Sequence, residues 1–572
     1  MSSTATSITD CRPRAFPQAA SAWLAALIGV FLAAGTIGHD PWKPDEAYTF
    51  GLVHHIVESG DLVVPTLAGE PFMEKPPLYY GVASLTARLF APVLPMHDGA
   101  RMASVLFMVL AATFTALAAR ELFGAGRGPL AALLLLGSLG VCVPAHTLIT
   151  DVALLAGCAI AAFGLASIIE SPRRGGAILG TGIGIGFMSK GLVEPGMFGI
   201  AALLLPAIFR RWRSGSYAQG LTWAALFALP WMLAWPVALY ARSPELFREW
   251  FWVNNFGRYF GFAHLGADDE PWYFTRTLPW FTLPAGAVAL YGFACHAASR
   301  GLDLDRGHQL VAAMCAGILL VLTTSASARE LYALPLLVPL SIGASAAADR
   351  LPRWMAAAFA WTSAALAAAV AGLAWFIWIE AVAQGAPPEV AVVSSYLPSS
   401  FRFPFEAKLF AAAAAATLLW AGVWRSHWGG ATWLVRWTAN VAMAWSVVMT
   451  LLLPWIDEAK SFREAFVSLS SALPPSAACV ASTGLGEGQR AMLEYFANRT
   501  TERTEVARRD CRFILLQASH DGIAPELPPG RWSLLWRGAR KGEAFESFSL
   551  YERRTEMHAT TKRQLPESKS RG

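Results

Sequence analysis

The sequence predicts an α-helical polytopic membrane protein of about thirteen spans, with outward interfacial helices and a small C-terminal α/β domain. Three observations predict it. Charged residues are scarce: 45 Lys and Arg with 40 Asp and Glu make up 15% of 572 residues, against about 25% in ordinary soluble proteins. Hydrophobic residues reach 55%, with 23 Trp and 33 Phe, more than a water-facing surface accommodates. The charge is also uneven, 33 of the 117 positions from Ile456 onward against 52 of the first 455. The first density suits a soluble domain and the second a membrane body, which excludes a wholly soluble enzyme, a coiled coil and a disordered scaffold. A dispersed net charge of +5 does not point to a nucleic-acid partner.

Residues 1–18 read as a cytoplasmic tail carrying Arg12 and Arg14, and 19–455 as the membrane body. The first apolar run, 19–38, lacks a small-residue cleavage site before polar sequence and reads as an anchor, not a signal peptide. Further runs cover 100–119, 129–145, 150–169, 176–188, 192–209, 219–240, 277–298, 309–323, 331–347, 354–379, 407–424 and 437–455. The run at 176–188 is short and could belong to a longer hairpin ending at Phe209. Segment 78–94 is nearly a fourteenth span. Leaving it out puts Arg120 with Arg127, Arg173 with Arg174, Arg210 with Arg211 and Arg213, Arg300 with Arg306, Arg350 with Arg353, and Arg425 with Arg436 on one side, the cytoplasm by the positive-inside rule. It is therefore expected as an interfacial helix, its Arg88 and prolines resisting insertion.

The domain 456–572 then faces outward. Cys479 and Cys511 both fall in it, where a disulfide is permitted; the other five cysteines lie in the tail or in or beside spans. Short strands at 478–482 and 513–517 and a helix at 488–497 are expected, and nothing catalytic stands out there.

Unusual polar residues gather in two outward loops, 39–98 and 241–276; a third, 380–406, is proline-rich without a constellation. In the first, Asp45 and Glu46 open an amphipathic stretch at 47–58, where the helix dipole favours ionised acids. An N-cap with a first-turn acid is the ordinary alternative. Pro71, Pro76 and Pro77 hold Glu74 and Lys75 in a rigid turn. An ammonium fixed there suits a phosphate at headgroup depth; Tyr79 and Tyr80 could simply be aromatic-belt anchors.

The second loop holds an aromatic run around Arg258, then His264, Asp268, Asp269 and Glu270. His264 could join a loop carboxylate as a metal ligand, although two protein ligands are fewer than a stable site needs. Asp151 heads a span, Lys190 sits in a Ser-Lys-Gly turn, and Arg329-Glu330-Leu331-Tyr332 closes another. Ionisable groups near membrane depth are functional by default, with a helix cap and a snorkelling lysine as the plainer readings of Asp151 and Lys190. Gly180, Gly182, Gly184 and Gly186 do not form a dinucleotide fingerprint and suit close helix packing. No nucleotide cofactor is expected.

The Asp-Glu pair after the first span, Glu-Lys-Pro-Pro-Leu-Tyr-Tyr, Asp151, Ser189-Lys190-Gly191 and Arg-Glu-Leu-Tyr-x-Leu-Pro together resemble the polyprenyl-phosphate-dependent GT-C type glycosyltransferases, a group that includes the protein mannosyltransferases. Within it the chain is most similar to the bacterial 4-amino-4-deoxy-L-arabinose lipid A transferases. The resemblance covers about 19–348. It implies a bacterial inner-membrane enzyme with a periplasmic C-terminal domain, moving a sugar from undecaprenyl phosphate to lipid A.

The resemblance further implies a catalytic set of Asp45, Glu46 and Asp151, with Asp45 central, and a donor phosphate held by Lys75, Arg258, Tyr332, Lys190 and Arg329. Glu74 and His264 match positions associated with a divalent metal, zinc or magnesium. The chain departs from the group at Arg329-Glu330, where the lipid A enzymes tend to have a lysine-rich turn, and this leaves the acceptor open. A protein or other glycan acceptor is the alternative. A lipid-linked sugar transporter is the rival from another class, weakened by the lack of internal repeats.

Overall fold

The computed structural model describes residues 18–265, 272–385 apart from 302, 405–475 apart from 427, 429 and 430, and 477–554 apart from 507–509, 519–526, 528–530 and 543–545. Asp268, Asp269, Glu270, the N-terminal arginines and most of the loop 380–406 lie outside the described residues.

The chain begins with α1 (Gln18–Ala33), α2 (Asp45–Ser59), α3 (Leu78–Phe90), α4 (Met96–Phe123), α5 (Arg127–Leu136), α6 (Asp151–Ser167), α7 (Pro172–Lys190), α8 (Val193–Ile208) and α9 (Gly215–Arg242). Among the described residues six helices are long and apolar enough to cross a membrane: α4, α9, Arg306–Thr323, Arg353–Gln384, Ala407–Arg425 and Thr432–Leu451. Two bent pairs, α5 with Leu139–His146 and Tyr273–Phe281 with Ala285–Arg300, would bring the number to eight. The second bends by 92° at Pro279 and Pro284, which remove backbone donors from the turn. Four shorter apolar helices accompany them. The chain is a multi-pass membrane protein.

Packing explains the segments on which hydropathy was ambiguous. The short run at 176–188 becomes the longer α7, lying between α6 and α9. A methyl group on Gly182 would meet Ala161 N at 2.4 Å, and one on Gly180 would meet Ala224 O at 2.2 Å. The glycines are thus required for backbone approach, as their spacing predicted. Segment 78–94 forms α3, which turns Tyr79, Tyr80, Ala83 and Ala87 inward while Leu85 and Leu89 stay exposed. Its Arg88 donates to Val57 O at 2.6 Å, tying it to the end of α2.

The C-terminal domain is larger than the sequence indicated. Beside the expected helix Glu487–Ala497 and the strands Val480–Thr483 and Phe513–Gln517, it contains helices Leu453–Lys460 and Arg463–Ala472 and strands Glu502–Arg503, Trp532–Ala539 and Ser547–Arg553. Val480–Thr483 runs parallel to both Phe513–Gln517 and Glu502–Arg503, while Ser547–Arg553 runs antiparallel to Phe513–Gln517 and to Trp532–Ala539. Cys479 and Cys511 are disulfide-bonded, joining the ends of the two central parallel strands.

A buried ionic cluster fastens this domain to the membrane body. Arg101, fully buried on α4, donates to Glu46 Oε1 at 2.6 Å, Asp98 Oδ1 at 2.7 Å, His39 O at 2.9 Å and Asp40 O at 3.0 Å. Asp40 in turn accepts from Ser461 Oγ at 2.6 Å and Arg463 Nε at 2.9 Å. Asp457 Oδ1 accepts from Asp40 N and Trp42 Nε1, both at 2.9 Å.

Burial and the Asp40 carboxylate push Asp457 up to about 6, from an ordinary value of 3.8. Between these values the folded protein holds more protons than the unfolded chain, so this contribution to stability is full at low pH and is lost as pH rises through about 6. Asp457→Asn keeps the acceptor oxygen and removes the charge. It should raise the thermal midpoint near pH 8 and leave it unchanged near pH 4, as read by thermal unfolding of the purified protein.

Candidate active site

The turn into α2, the Glu74-Lys75 turn, the head of α6, the α7–α8 junction and the segment after Arg306–Thr323 meet at one cavity of about 580 Å³. Its polar end gathers Asp45, Glu74, Lys75, Asp151, Lys190, Arg258, Arg329 and Tyr332. Its other wall is apolar: Val193, Met197 and Ile200 on α8 face Val321 and Leu322 on the neighbouring helix. Residues 193, 197 and 200 fall on one helical face, so α8 presents a continuous oily strip beneath the charged groups.

The charges are arranged in pairs. Arg329 grips Asp45, Nη1 to Oδ1 at 3.2 Å and Nη2 to Oδ2 at 2.9 Å, while Tyr48 Oη donates to Oδ1 at 3.2 Å. Arg258 Nη1 donates to Glu74 Oε1 at 2.5 Å, and Lys75 Nζ stands 3.5 Å from the same oxygen. Lys75 also donates to Tyr48 Oη at 2.9 Å. Lys190 pairs with Asp151 and lies 4.3 Å over the Tyr332 ring.

Burial disfavours the Glu74 charge, but Lys75 and Arg258 hold its carboxyl down at about 2. Burial likewise opposes the Lys75 charge, and Glu74 beside it more than restores it, raising the ammonium well above its usual value. Both are charged at neutral pH. Two buried donors near these pairs have no hydrogen-bond partner among the described residues, the Arg258 Nε and the Tyr80 hydroxyl. A phosphate has the oxygens to satisfy such groups.

Eight of the ten residues singled out from sequence line the cavity; Glu46 and His264 do not. Neighbouring helix positions point about 100° apart, so Glu46 turns away from the cavity that Asp45 lines. Its oxygens accept from Arg101, from Trp42 N at 3.1 Å and from Leu148 N at 3.1 Å. It belongs to the ionic cluster between the domains. His264 is exposed, with φ +47.

The Glu74–His264 metal pair does not fit this arrangement, because Glu74 is already occupied by two cations. Among the described residues one group of three could hold a metal: His296, Asp305 and His308. There Asp305 Oδ1 caps a helix, accepting from His308 N at 3.0 Å and from its Nδ1 at 2.9 Å, which accounts for the cluster without an ion. His308 packs on Phe123, at the far end of α4 from Arg101, about 33 Å away along the helix.

The sequence reading missed Lys43, Tyr48, Asn255, Glu487 and Gln489, all of which line the cavity. Glu487 and Gln489 come from the C-terminal domain, in which nothing catalytic had been expected. Asn255 lies in a π-helical stretch, Glu249–Gly257, a distortion frequent at functional sites. Its Oδ1 accepts from Leu192 N at 3.1 Å and thereby fixes the turn carrying Lys190.

That turn needs Gly191, at φ +68, where an added methyl would stand 2.2 Å from Asn255 Oδ1. Gly191→Ala should strain the backbone and displace Lys190, lowering turnover at this cavity about tenfold or more. Initial rates at equal amounts of folded protein check this.

Comparison with known proteins follows the same lines. The family described as dolichyl-phosphate-mannose-protein mannosyltransferase matches residues 74–240, a stretch carrying Glu74, Lys75, Asp151 and Lys190. The undecaprenyl phosphate-alpha-4-amino-4-deoxy-L-arabinose arabinosyl transferase of Edwardsiella ictaluri is 31% identical over 288 residues, 46% of this chain and 49% of that relative. The protein of the same name from Pseudomonas paraeruginosa is 29% identical over 343 residues, 56% of this chain and 58% of the relative. The chain spans about half the length of the curated relatives it matches.

Among solved structures, ArnT from Cupriavidus metallidurans bound to undecaprenyl phosphate is similar with a TM-score of 0.66 at 17% identity, over 93% of this chain and 97% of that one. The chain has the ArnT fold. The apo state of the same protein gives a TM-score of 0.58 at 20% identity, over 85% and 86% of the two chains. The resemblance read from the sequence is thus met again in whole-chain architecture.

Proposed function

We propose that the protein transfers 4-amino-4-deoxy-L-arabinose from undecaprenyl phosphate to lipid A at the outer face of a bacterial inner membrane. In this reading the chain crosses the membrane thirteen times and its C-terminal domain is periplasmic. The observation that carries the proposal is the shape of the cavity's chemistry: Lys75, Arg258, Lys190 and Arg329 gather at one end, and the apolar strip of α8 forms the other wall. A phosphate-headed lipid has that profile. The names of the matched relatives supply the sugar, and the ArnT likeness supplies the lipid carrier.

In the reaction, an acceptor oxygen closes on the sugar's anomeric carbon while the bond from that carbon to the donor phosphate oxygen breaks. The electron pair leaves with undecaprenyl phosphate, which changes from a diester with one negative charge to a monoester with two. Lys75 and Arg258 stabilise this growing charge. A lipid A phosphate is already ionised, so no proton need be removed from the acceptor. Asp45, its oxygens fixed by Arg329 and Tyr48, stabilises positive charge developing on the sugar ring. Asp151 orients Lys190. No step requires a metal.

Mass spectrometry of lipid A from cells with and without the gene tests the proposal. An added aminopentose present only with the gene supports it. An unchanged lipid A profile contradicts it, and a sugar gained by a protein instead would favour the acceptor of the matched mannosyltransferase family.

A further inference from the structure

The carboxylates lining the cavity differ in one respect. Asp45 is held by Arg329, Glu74 by Arg258 and Lys75, and Asp151 by Lys190. Glu487 alone has neither a hydrogen bond nor an ion pair among the described residues, although it lines the same cavity.

Its position is fixed by its neighbours. The helix Glu487–Ala497 packs on α2 so closely that a methyl on Gly488 would stand 3.2 Å from the Ala47 side chain, and one on Gly51 would stand 2.6 Å from that of Ala491. Gln489 Nε2 donates to Glu546 Oε1 at 2.6 Å, and Lys43 Nζ donates to the same oxygen at 2.7 Å. Further along the helix, Arg490 reaches Glu70 at 3.1 Å. These contacts hold the start of the helix at the cavity mouth, leaving the Glu487 side chain exposed toward the cavity. Partial burial and the Glu74 carboxylate push its pKa up, against the weaker opposing pull of Arg490, Arg258 and Arg503, none of which pairs with it directly.

We propose that Glu487 is a substrate-binding residue that selects an aminosugar, its carboxylate receiving the sugar's ammonium group. The inference rests on the glycosyltransferase reading above and adds a specificity determinant supplied by the C-terminal domain. The cations at the polar end suit the donor phosphate, and each of the other three acids already has a positive partner. An ammonium supplies the missing one at Glu487. A sugar bearing a hydroxyl in its place can still donate to the carboxylate, but brings no opposite charge to it.

The test measures kcat/KM for two undecaprenyl phosphate donors, one carrying 4-amino-4-deoxy-L-arabinose and the other L-arabinose, with the full-length wild type, Glu487→Gln and Glu487→Asp. The preference of the wild type for the amino donor should fall about 10- to 100-fold in Glu487→Gln and be partly restored in Glu487→Asp. An unchanged preference in Glu487→Gln, or an equal loss on both donors, overturns the inference. Absence of transfer from either donor by the wild type would instead overturn the glycosyltransferase reading itself.

Discussion

Lys75→Ala should lower the proposed sugar transfer about 10²- to 10³-fold, the loss expected when a preorganised group facing developing charge is removed. The lysine is 9% exposed and donates to Tyr48 Oη at 2.9 Å. Glu74 keeps it charged despite burial. The variant should still fold, because Glu74 retains its bond to Arg258 at 2.5 Å. Since the second phosphate charge appears only as the bond breaks, kcat should fall more than KM rises. Lys75→Arg should not restore the rate: a planar guanidinium cannot reproduce a point charge seated between Tyr48 and Glu74. Initial rates over a range of donor concentrations check both statements.

Arg101→Ala removes the centre of the cluster joining the first loop to α4. The guanidinium is 0% exposed, and its loss leaves the buried Glu46 and Asp98 facing each other without a cation. Breaking such a pair from one side costs about 3–5 kcal/mol, a large part of the stability of an ordinary domain. The expected outcome is a sharp fall in the yield of folded protein and in its thermal midpoint. Glu46→Gln keeps one acceptor oxygen, enough for Leu148 N or Trp42 N but not both, and should be milder. It also separates the two neighbouring acids: folded Glu46→Gln should retain its turnover, whereas Asp45→Asn should lose it.

The cavity was legible in the sequence because its residues are polar where the surrounding chain is oily. Asp45, Lys75, Asp151, Lys190 and Arg329 are conspicuous in a membrane body that holds so few charges, and they proved to share one cavity. Glu46 was misread because adjacency in sequence is not adjacency on a helix. Arg101 was passed over since one arginine at the head of an apolar run looks like a surface anchor; only packing reveals that Glu46, His39 and Asp98 surround it.

The contribution of Glu487 was hidden for a different reason. The C-terminal domain has the charge density of any soluble domain, so no acid stands out in it until the fold brings Gly488 against Ala47 and Lys43. Likewise, the family resemblance implied Glu74 and His264 as metal ligands, and the long-range pairing of Glu74 with Arg258, 184 positions away, becomes visible only in three dimensions.

The most direct test is reconstitution. Purified full-length protein is mixed with lipid A and undecaprenyl phosphate bearing 4-amino-4-deoxy-L-arabinose, and both products are followed by mass spectrometry. The account predicts that lipid A gains one aminopentose as undecaprenyl phosphate is released in equal amount, and that Lys75→Ala suppresses both. Intact donor after prolonged incubation with the folded wild type, or transfer undiminished in Lys75→Ala, would contradict it.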